Sequence, residues 1–489
     1  MDIKRSLATV GAIFSILLSS LVTAVSADNG WTENCSHVID KDVVIFGGGG
    51  SGAQAAVRLR EDYNKTVVVI EKQCNLGGHV ETYIDSISGK PFDYGVESYT
   101  EYGGAKDFFA RFNITLVKTM YHPINTTYID FLTGDPLPLY HDPQPPAFVA
   151  ALKSYLTLAE KYENITFPSF VNFPSPPDIP AELLLPFKTI AETYKLEAAL
   201  PLIFEGTGWG LGDISTAPLL DILQELPAVL TRAFLGELAS WVPESGSNQE
   251  LYDRIGALLS SDVLYDATII STRRSDDGVQ VLVSDAHGEQ TLIRARKLLV
   301  SIALTDDNLP LLDLSPNEEE IFSTWAPDNI YCGIVSGPGL PVNGSLVNIA
   351  SGAVPENYTV FPTPPFVVRY QYSGDNNFRV LATGTETYTE DMARQLIVDT
   401  YERITKDVRG DGPRDQLDIK AFSAHRTTSF HVPENKVRDG FYGNLTALQG
   451  GRSTWFTGRA WGGQYSTTLW GFNDQWLLPH LVADLEAGS

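Results

Sequence analysis

The sequence predicts an α/β fold in which a nucleotide-binding unit is interleaved with a mixed α+β unit. Three observations predict it. An apolar run, Val43-Val44-Ile45-Phe46, ends in the glycine cluster Gly47 to Gly52. A helical stretch and a second strand, Thr66 to Ile70, follow and close on Glu71. Far down the chain, Leu448 to Gly458 passes through a glycine-rich turn into another strand-like run that ends on glycine.

The glycine cluster fits G-x-G-x-x-G, with Gly47, Gly49 and Gly52 at the fixed positions, directly after a strand and opening the helix Ala53 to Arg60. In a Rossmann-like unit the first glycine permits the tight turn and the second lets backbone approach a pyrophosphate. The third allows close helix–strand packing, and the helix start offers N–H donors and a favourable dipole. Glu71, nineteen residues after Gly52, is placed to accept hydrogen bonds from ribose hydroxyls, which favours FAD or NAD over NADP. Glycine clusters also occur in ordinary turns. The order strand, motif, helix, strand, acid sets this one apart.

Residues Phe108 to Pro180 mix aromatics and prolines without clear periodicity, whereas Ala181 to Leu238 reads as mostly helical, with apolar spacing around Leu219, Leu220, Leu223 and Leu226. Strands return at Ala267 to Ser271 and Val279 to Val283, flanking the turn Asp276-Asp277-Gly278, and at Leu298 to Ile302. Further strands are expected at Phe366 to Tyr372 and Phe378 to Ala382, and a helix at Asp391 to Thr405. The expected division is a leader at 1–27, a nucleotide-binding domain from 38–107, 255–305 and 440–489, and a substrate domain from 108–254 and 306–439.

The leader follows from Lys4 and Arg5, the uncharged apolar stretch Ser6 to Ser26, and small residues at Ala24, Ser26 and Ala27, the layout of a cleaved secretory signal. An uncleaved anchor is the rival reading, because the stretch approaches spanning length. Export is supported separately by eight glycosylation sequons, at Asn34, Asn64, Asn113, Asn125, Asn164, Asn343, Asn357 and Asn444. They hold eight of twenty asparagines, where chance gives roughly two or three. The expected location is therefore outside the cell or in the secretory lumen, with no stable membrane insertion after cleavage. A net charge of -25 argues against nucleic acid or anionic membrane as partner and reads as a soluble acidic surface. Cys35, Cys74 and Cys332 allow at most one disulfide, and no His/Cys spacing suggests a metal.

Residues Lys72 to Val80 read Lys-Gln-Cys-Asn-Leu-Gly-Gly-His-Val, and Phe92-Asp93-Tyr94-Gly95 follows. The pair Gly77-Gly78 resembles the second glycine doublet of the flavin-containing amine oxidase superfamily, whose backbone lies against the FAD diphosphate and flavin. This resemblance selects FAD over NAD. The superfamily usually carries arginine after the doublet; here stands His79. Leu448-Gln449-Gly450 through Thr457-Gly458 resembles its last FAD-binding strand, followed by a helix, Tyr465 to Leu477, whose start at Ser466 and Thr467 is implied to face the flavin. The usual acid after the Gly458-type glycine is replaced by Arg459. The strand Asp266 to Thr272, with Thr268, resembles the segment whose backbone meets the adenine. The chain resembles the branch containing beta-cyclopiazonate dehydrogenase and its fungal relatives, and a bacterial FAD-dependent linoleate isomerase also looks similar around Gly208-Trp209-Gly210 and Phe430-His431-Val432.

The resemblance implies hydride removal from a C–H bond of a small-molecule substrate to FAD, a chemistry that needs no conspicuous acid–base motif. Three residues are candidates near the reacting centre. Trp209, in an expected Gly-Trp-Gly turn, is a pocket wall or a core tryptophan; His431 is a flavin neighbour or a structural histidine. Ala424-His425-Arg426-Thr427 resembles the strand that bears the flavin-linked cysteine of monoamine oxidases. No cysteine follows Cys332, so His425 is the first candidate for any covalent link and His79 the second. Arg426 and Thr468 stand where those oxidases build an aromatic cage, which argues against a simple amine substrate. The leading reading is a secreted FAD-dependent oxidoreductase tailoring a secondary metabolite. The alternatives are a double-bond isomerase of an unsaturated fatty acid and a flavin-free binding protein.

Overall fold

The computed structural model describes residues 37–119, 125–211, 213–409 and 417–488, without the side chains of 208–211, 407–409 and 426–429. The expected leader and the sequon at Asn34 lie outside the described residues. Two seven-stranded sheets organise the rest.

The elements that matter come in this order. Strand β1 is His37–Phe46, helix α1 Gly50–Val57, and β2 Val67–Ile70. Strands β3 (Asn125–Asp130) and β4 (Asp135–Pro136) are followed by helices α2 (Pro145–Thr166), α3 (Leu200–Leu211) and α4 (Leu219–Glu225). Next come β5 (Val263–Leu264), β6 (Thr268–Ser275), β7 (Gly278–Ser284) and β8 (Gln290–Val300). Strands β9 (Ala326–Ser336), β10 (Gly344–Asn348), β11 (Phe366–Gly374) and β12 (Asn377–Gly384) precede α5 (Glu390–Arg409). The chain ends with β13 (Asp418–His431), β14 (Thr454–Phe456) and α6 (Ser466–Phe472).

The first sheet runs β5-β2-β1-β8-β7-β6, with β14 added in parallel to the last three residues of β8. Its centre is parallel: β1 pairs with both β2 and β8, and Val43, Val44, Ile45 and Phe46 are completely buried. A strand covered on both faces reads as a continuous apolar run, which is why this segment was legible. Chain from the start, middle and end of the sequence therefore meets in one sheet.

The second sheet runs β13-β9-β12-β11-β10-β3-β4. Alternate residues divide its two faces. Tyr331, Tyr370, Phe378 and Val380 pack with Ala393, Ile397 and Tyr401 of α5 in a core of their own. Cys332, Ile334, Val368 and Leu381 belong instead to the main core shared with the first sheet. That second face packs in one core with the first sheet.

Two expectations need correction. The segment 108–180, read as aperiodic, contains the 22-residue α2, which buries Ala151, Leu152, Tyr155, Leu156, Ala159 and Tyr162. Its stripe mixes alanine and tyrosine with leucine, and Pro145 at its first turn, a legitimate helix start, looked like loop. The Gly208-Trp209-Gly210 segment is not a turn but part of the helix α3, which packs across β9, β12 and β13. Tertiary packing has overridden glycine's poor helix propensity there.

Candidate flavin site

The site begins where β1 ends. Gly47 has φ +91°, and a Cβ on it would lie 2.8 Å from the Ile302 side chain. Ser301 Oγ donates to the carbonyls of Phe46 and Gly47 at 2.8 and 2.9 Å, fixing the turn. A Cβ at Gly52 would fall 2.1 Å from the Gly47 carbonyl oxygen, so glycine there is a packing requirement. At Gly49 the situation is opposite: its Cβ would meet only the Gly78 Cα, at 3.6 Å. A Cβ on Gly49 would thus make ordinary contact with the doublet without a clash.

The glycine doublet forms the facing wall. Gly77 donates from its backbone to the Gly48 carbonyl at 3.0 Å and forms a parallel bridge with Gly49. Gly77 and Gly78 take φ +131° and +61°, conformations that suit glycine. Turn and doublet together make a cradle of bare backbone. Glu71, buried at the end of β2, accepts from the backbone N–H of Gly48 at 2.7 Å and of Gln73 at 2.9 Å. It therefore holds the turn itself, and a carboxylate with about four acceptor positions keeps capacity for ribose hydroxyls. Thr268 lies one residue beyond Ala267, whose N–H donates to the Glu71 carbonyl, and it is exposed on the sheet rim.

The C-terminal elements close the cradle from the other side. Thr457 Oγ1 lies 2.7 Å from Ser51 Oγ, Trp470 Nε1 donates to the Gly50 carbonyl, and Asn473 donates to the Ser51 carbonyl. Gly458, at φ +101°, sits over Ser301. Ser466 and Thr467 open α6 beside Gly50. Thr467 Oγ1 and the Tyr252 hydroxyl are buried here without hydrogen-bond partners. Orphaned hydroxyls beside an open backbone cradle are what a large polar cofactor would satisfy. FAD fits this donor set.

His79, directly after the doublet, keeps an accessible face although protein surrounds it. Burial, and then the charges of Arg459 and Lys72, lower its pKa to about 4, so it is neutral at physiological pH. Its ring stacks on His425 at 4.2 Å and 10°. His425 is itself buried, and burial together with His79 keeps it neutral as well. Both His425 ring nitrogens lie 3.6–3.7 Å from Cys332 Sγ. His425 is thus brought to the site but set behind His79, with its nitrogens turned to a thiol.

His431 is bound between two carboxylates. Its nitrogens meet Asp221 of α4 at 3.2 Å and Asp328 of β9 at 2.8 Å. Burial pulls its pKa down, but the two carboxylates outweigh it and carry it to about 10. The result is a charged clamp tying α4 to the edge of the second sheet. Trp209 stands in α3, its side chain outside the described residues.

Sequence reasoning missed several polar groups here. Glu81 accepts from Ser423 Oγ at 2.6 Å and from the Tyr94 hydroxyl at 3.2 Å, joining the segment after the doublet to β13. Burial drives the Tyr94 hydroxyl and the Cys332 thiol toward their neutral forms. Asp93 is raised to about 6 by burial against bonds from Thr82 and Asn248. The Phe92-Asp93-Tyr94-Gly95 motif was the available signal for two of these.

Residues 45–112 match the NAD(P)-binding Rossmann-like domain model. An FAD-dependent oxidoreductase of Monascus ruber is 30% identical over 485 residues, covering 96% of this chain and 99% of its own. Another, from Colletotrichum higginsianum, is 33% identical, covering 91% and 94%. The chain belongs to the FAD-dependent oxidoreductase family.

Among the similar oxidoreductases is the beta-cyclopiazonate dehydrogenase of Aspergillus flavus, 30% identical over 466 residues with 95% of this chain and 97% of its own covered. Solved structures agree on the fold. A fatty acid isomerase from P. acnes superposes with a TM-score of 0.68 at 18% identity, covering 89% of this chain and 97% of its own. Putrescine oxidase gives 0.61 at 15% identity, covering 92% and 100%. This oxidoreductase therefore shares its fold with amine oxidases, and contains a Rossmann-like unit.

Proposed function

We propose that this oxidoreductase is exported and removes a hydride from a C–H bond of a small organic substrate, tailoring a secondary metabolite. The observation that carries the chemical part is the bare backbone of Gly49 and Gly78 with the accessible, neutral imidazole of His79 directly after it. FAD, when bound, supplies the hydride acceptor. The chain's own residues do the rest. Gly49 and Gly78 present backbone without side chains, so a diphosphate can lie against them. Tyr252 and Thr467 offer hydroxyls that are buried and unsatisfied. His79, being neutral, presents one donor and one acceptor nitrogen rather than a second charge.

Export is supported by the placement of the sequons. All seven that fall in the described residues, Asn64, Asn113, Asn125, Asn164, Asn343, Asn357 and Asn444, are exposed. A glycan needs such a surface position.

Comparing metabolites of the producing strain with those of a deletion strain tests the reaction class by mass. Accumulation of a precursor two hydrogens heavier than the lost product supports hydride removal. Accumulation of a compound of unchanged mass points to double-bond isomerisation, the second reading, and an unaltered profile contradicts both.

A further inference from the structure

Arg459 is the residue to which the fold brings the most support at the edge of the cradle. Thr457, two positions before it, is hydrogen-bonded to Ser51 of the glycine turn. Gly458, directly before it, sits over Ser301, whose hydroxyl binds the Gly47 carbonyl. Arg459 therefore leaves the backbone next to the turn. From there its charge is felt at His79.

Helix α4 grips it twice. Gln224 Nε2 donates to the Arg459 carbonyl at 3.3 Å, and Glu225 pairs with its guanidinium. Gln464 accepts from Nη1 at 2.7 Å. Both members of the ion pair are enclosed, with side-chain exposures of 14% for Arg459 and 3% for Glu225. Burial of this kind rarely stabilises a fold on its own, because desolvation offsets the attraction. Burial raises the Glu225 pKa, against the pull of Arg459. Other cations near the turn are differently engaged: Arg58 is bound by Asp474 and Asp62, and Lys72 is on the exposed surface.

We propose that Arg459, held by Glu225 and Gln464, is the cation that pairs with the diphosphate of FAD. A guanidinium matches phosphate oxygens in geometry and charge, and a fixed one is already ordered before the cofactor arrives. The proposal rests on FAD as cofactor and on no choice of substrate.

The test uses unloaded full-length chains from a riboflavin-starved host, titrated with FAD and, separately, with riboflavin, which lacks the phosphates. Arg459→Gln alone would strand Glu225 in the interior, so the informative variant is the double Arg459→Gln/Glu225→Gln, with its fold checked by circular dichroism. It should raise the Kd for FAD at least tenfold while changing that for riboflavin less than twofold. Glu225→Gln alone, which leaves the cation unopposed, should bind FAD at least as tightly as the parent. Arg459→Lys, a point charge of the same sign, should fall between. Unchanged FAD binding in the double variant would overturn the proposal. So would equal losses for FAD and riboflavin, or a Glu225→Gln loss matching that of the double variant, since each marks a structural strut.

Discussion

His425 lies flat against His79, 4.2 Å away and 10° from parallel, and of the two rings His79 is exposed and His425 buried. This relationship reverses the order in which the two histidines were expected to act. The ring with access is His79, and the nitrogens of His425 are occupied with Cys332.

The stacking predicts that flavin is held without a covalent bond to His425. After acid precipitation, FAD should remain in solution, and His425→Ala should not alter that partition. Flavin that sediments with the parent protein would contradict this, and its release by His79→Ala or by His425→Ala would show which ring is linked.

The glycine turn predicts two opposite outcomes from the same kind of change. Gly49→Val should leave the fold intact, because a Cβ there meets the Gly78 Cα without a clash, yet abolish flavin binding by covering the bare backbone the diphosphate needs. Gly52→Val should lower stability by about 3 kcal/mol or prevent folding, since its Cβ collides with the Gly47 carbonyl. Melting curves and flavin content of the two variants separate these effects. A flavin-loaded Gly49→Val protein would displace the cofactor from this cradle.

How much of this was legible follows from the range of the interactions. The glycine turn was readable because its requirement is local: each glycine answers to backbone within a few residues or one strand away. Glu71 was readable for the same reason. The clamp on His431 was not, because Asp221 and Asp328 stand 210 and 103 residues away and only the second sheet brings them together. The His79–His425 stack, the Glu81–Ser423 bond and the Glu225–Arg459 pair are likewise products of topology. Helix α2 was hidden by composition rather than distance, since alanine and tyrosine dilute its apolar stripe.

The clamp itself has a pH signature. The folded-state pKa of His431, raised to about 10, exceeds its ordinary 6.5. Its contribution is therefore complete below about pH 6.5 and disappears as pH rises toward 10. Denaturant melts of the parent and of His431→Gln should differ by about 3 kcal/mol at pH 6 and converge near pH 10. A difference that grew with pH would contradict the ion-pair assignment.

Export predicts a shorter and heavier protein than the gene alone encodes. The mature N-terminus should begin near Asp28, and glycosidase treatment should lower the apparent mass of secreted material. An intact N-terminus on cytosolic protein of unchanged mass would refute it.

The central claim is that the cradle between Gly49 and Gly78 holds FAD for redox chemistry. Its most direct test is the visible absorption spectrum of the purified protein, followed by anaerobic addition of extract from the deletion strain. The account predicts an oxidised-flavin band at one FAD per chain, bleached by the accumulated precursor. A colourless protein that takes up no FAD, or a flavin band that no extract bleaches, would contradict it.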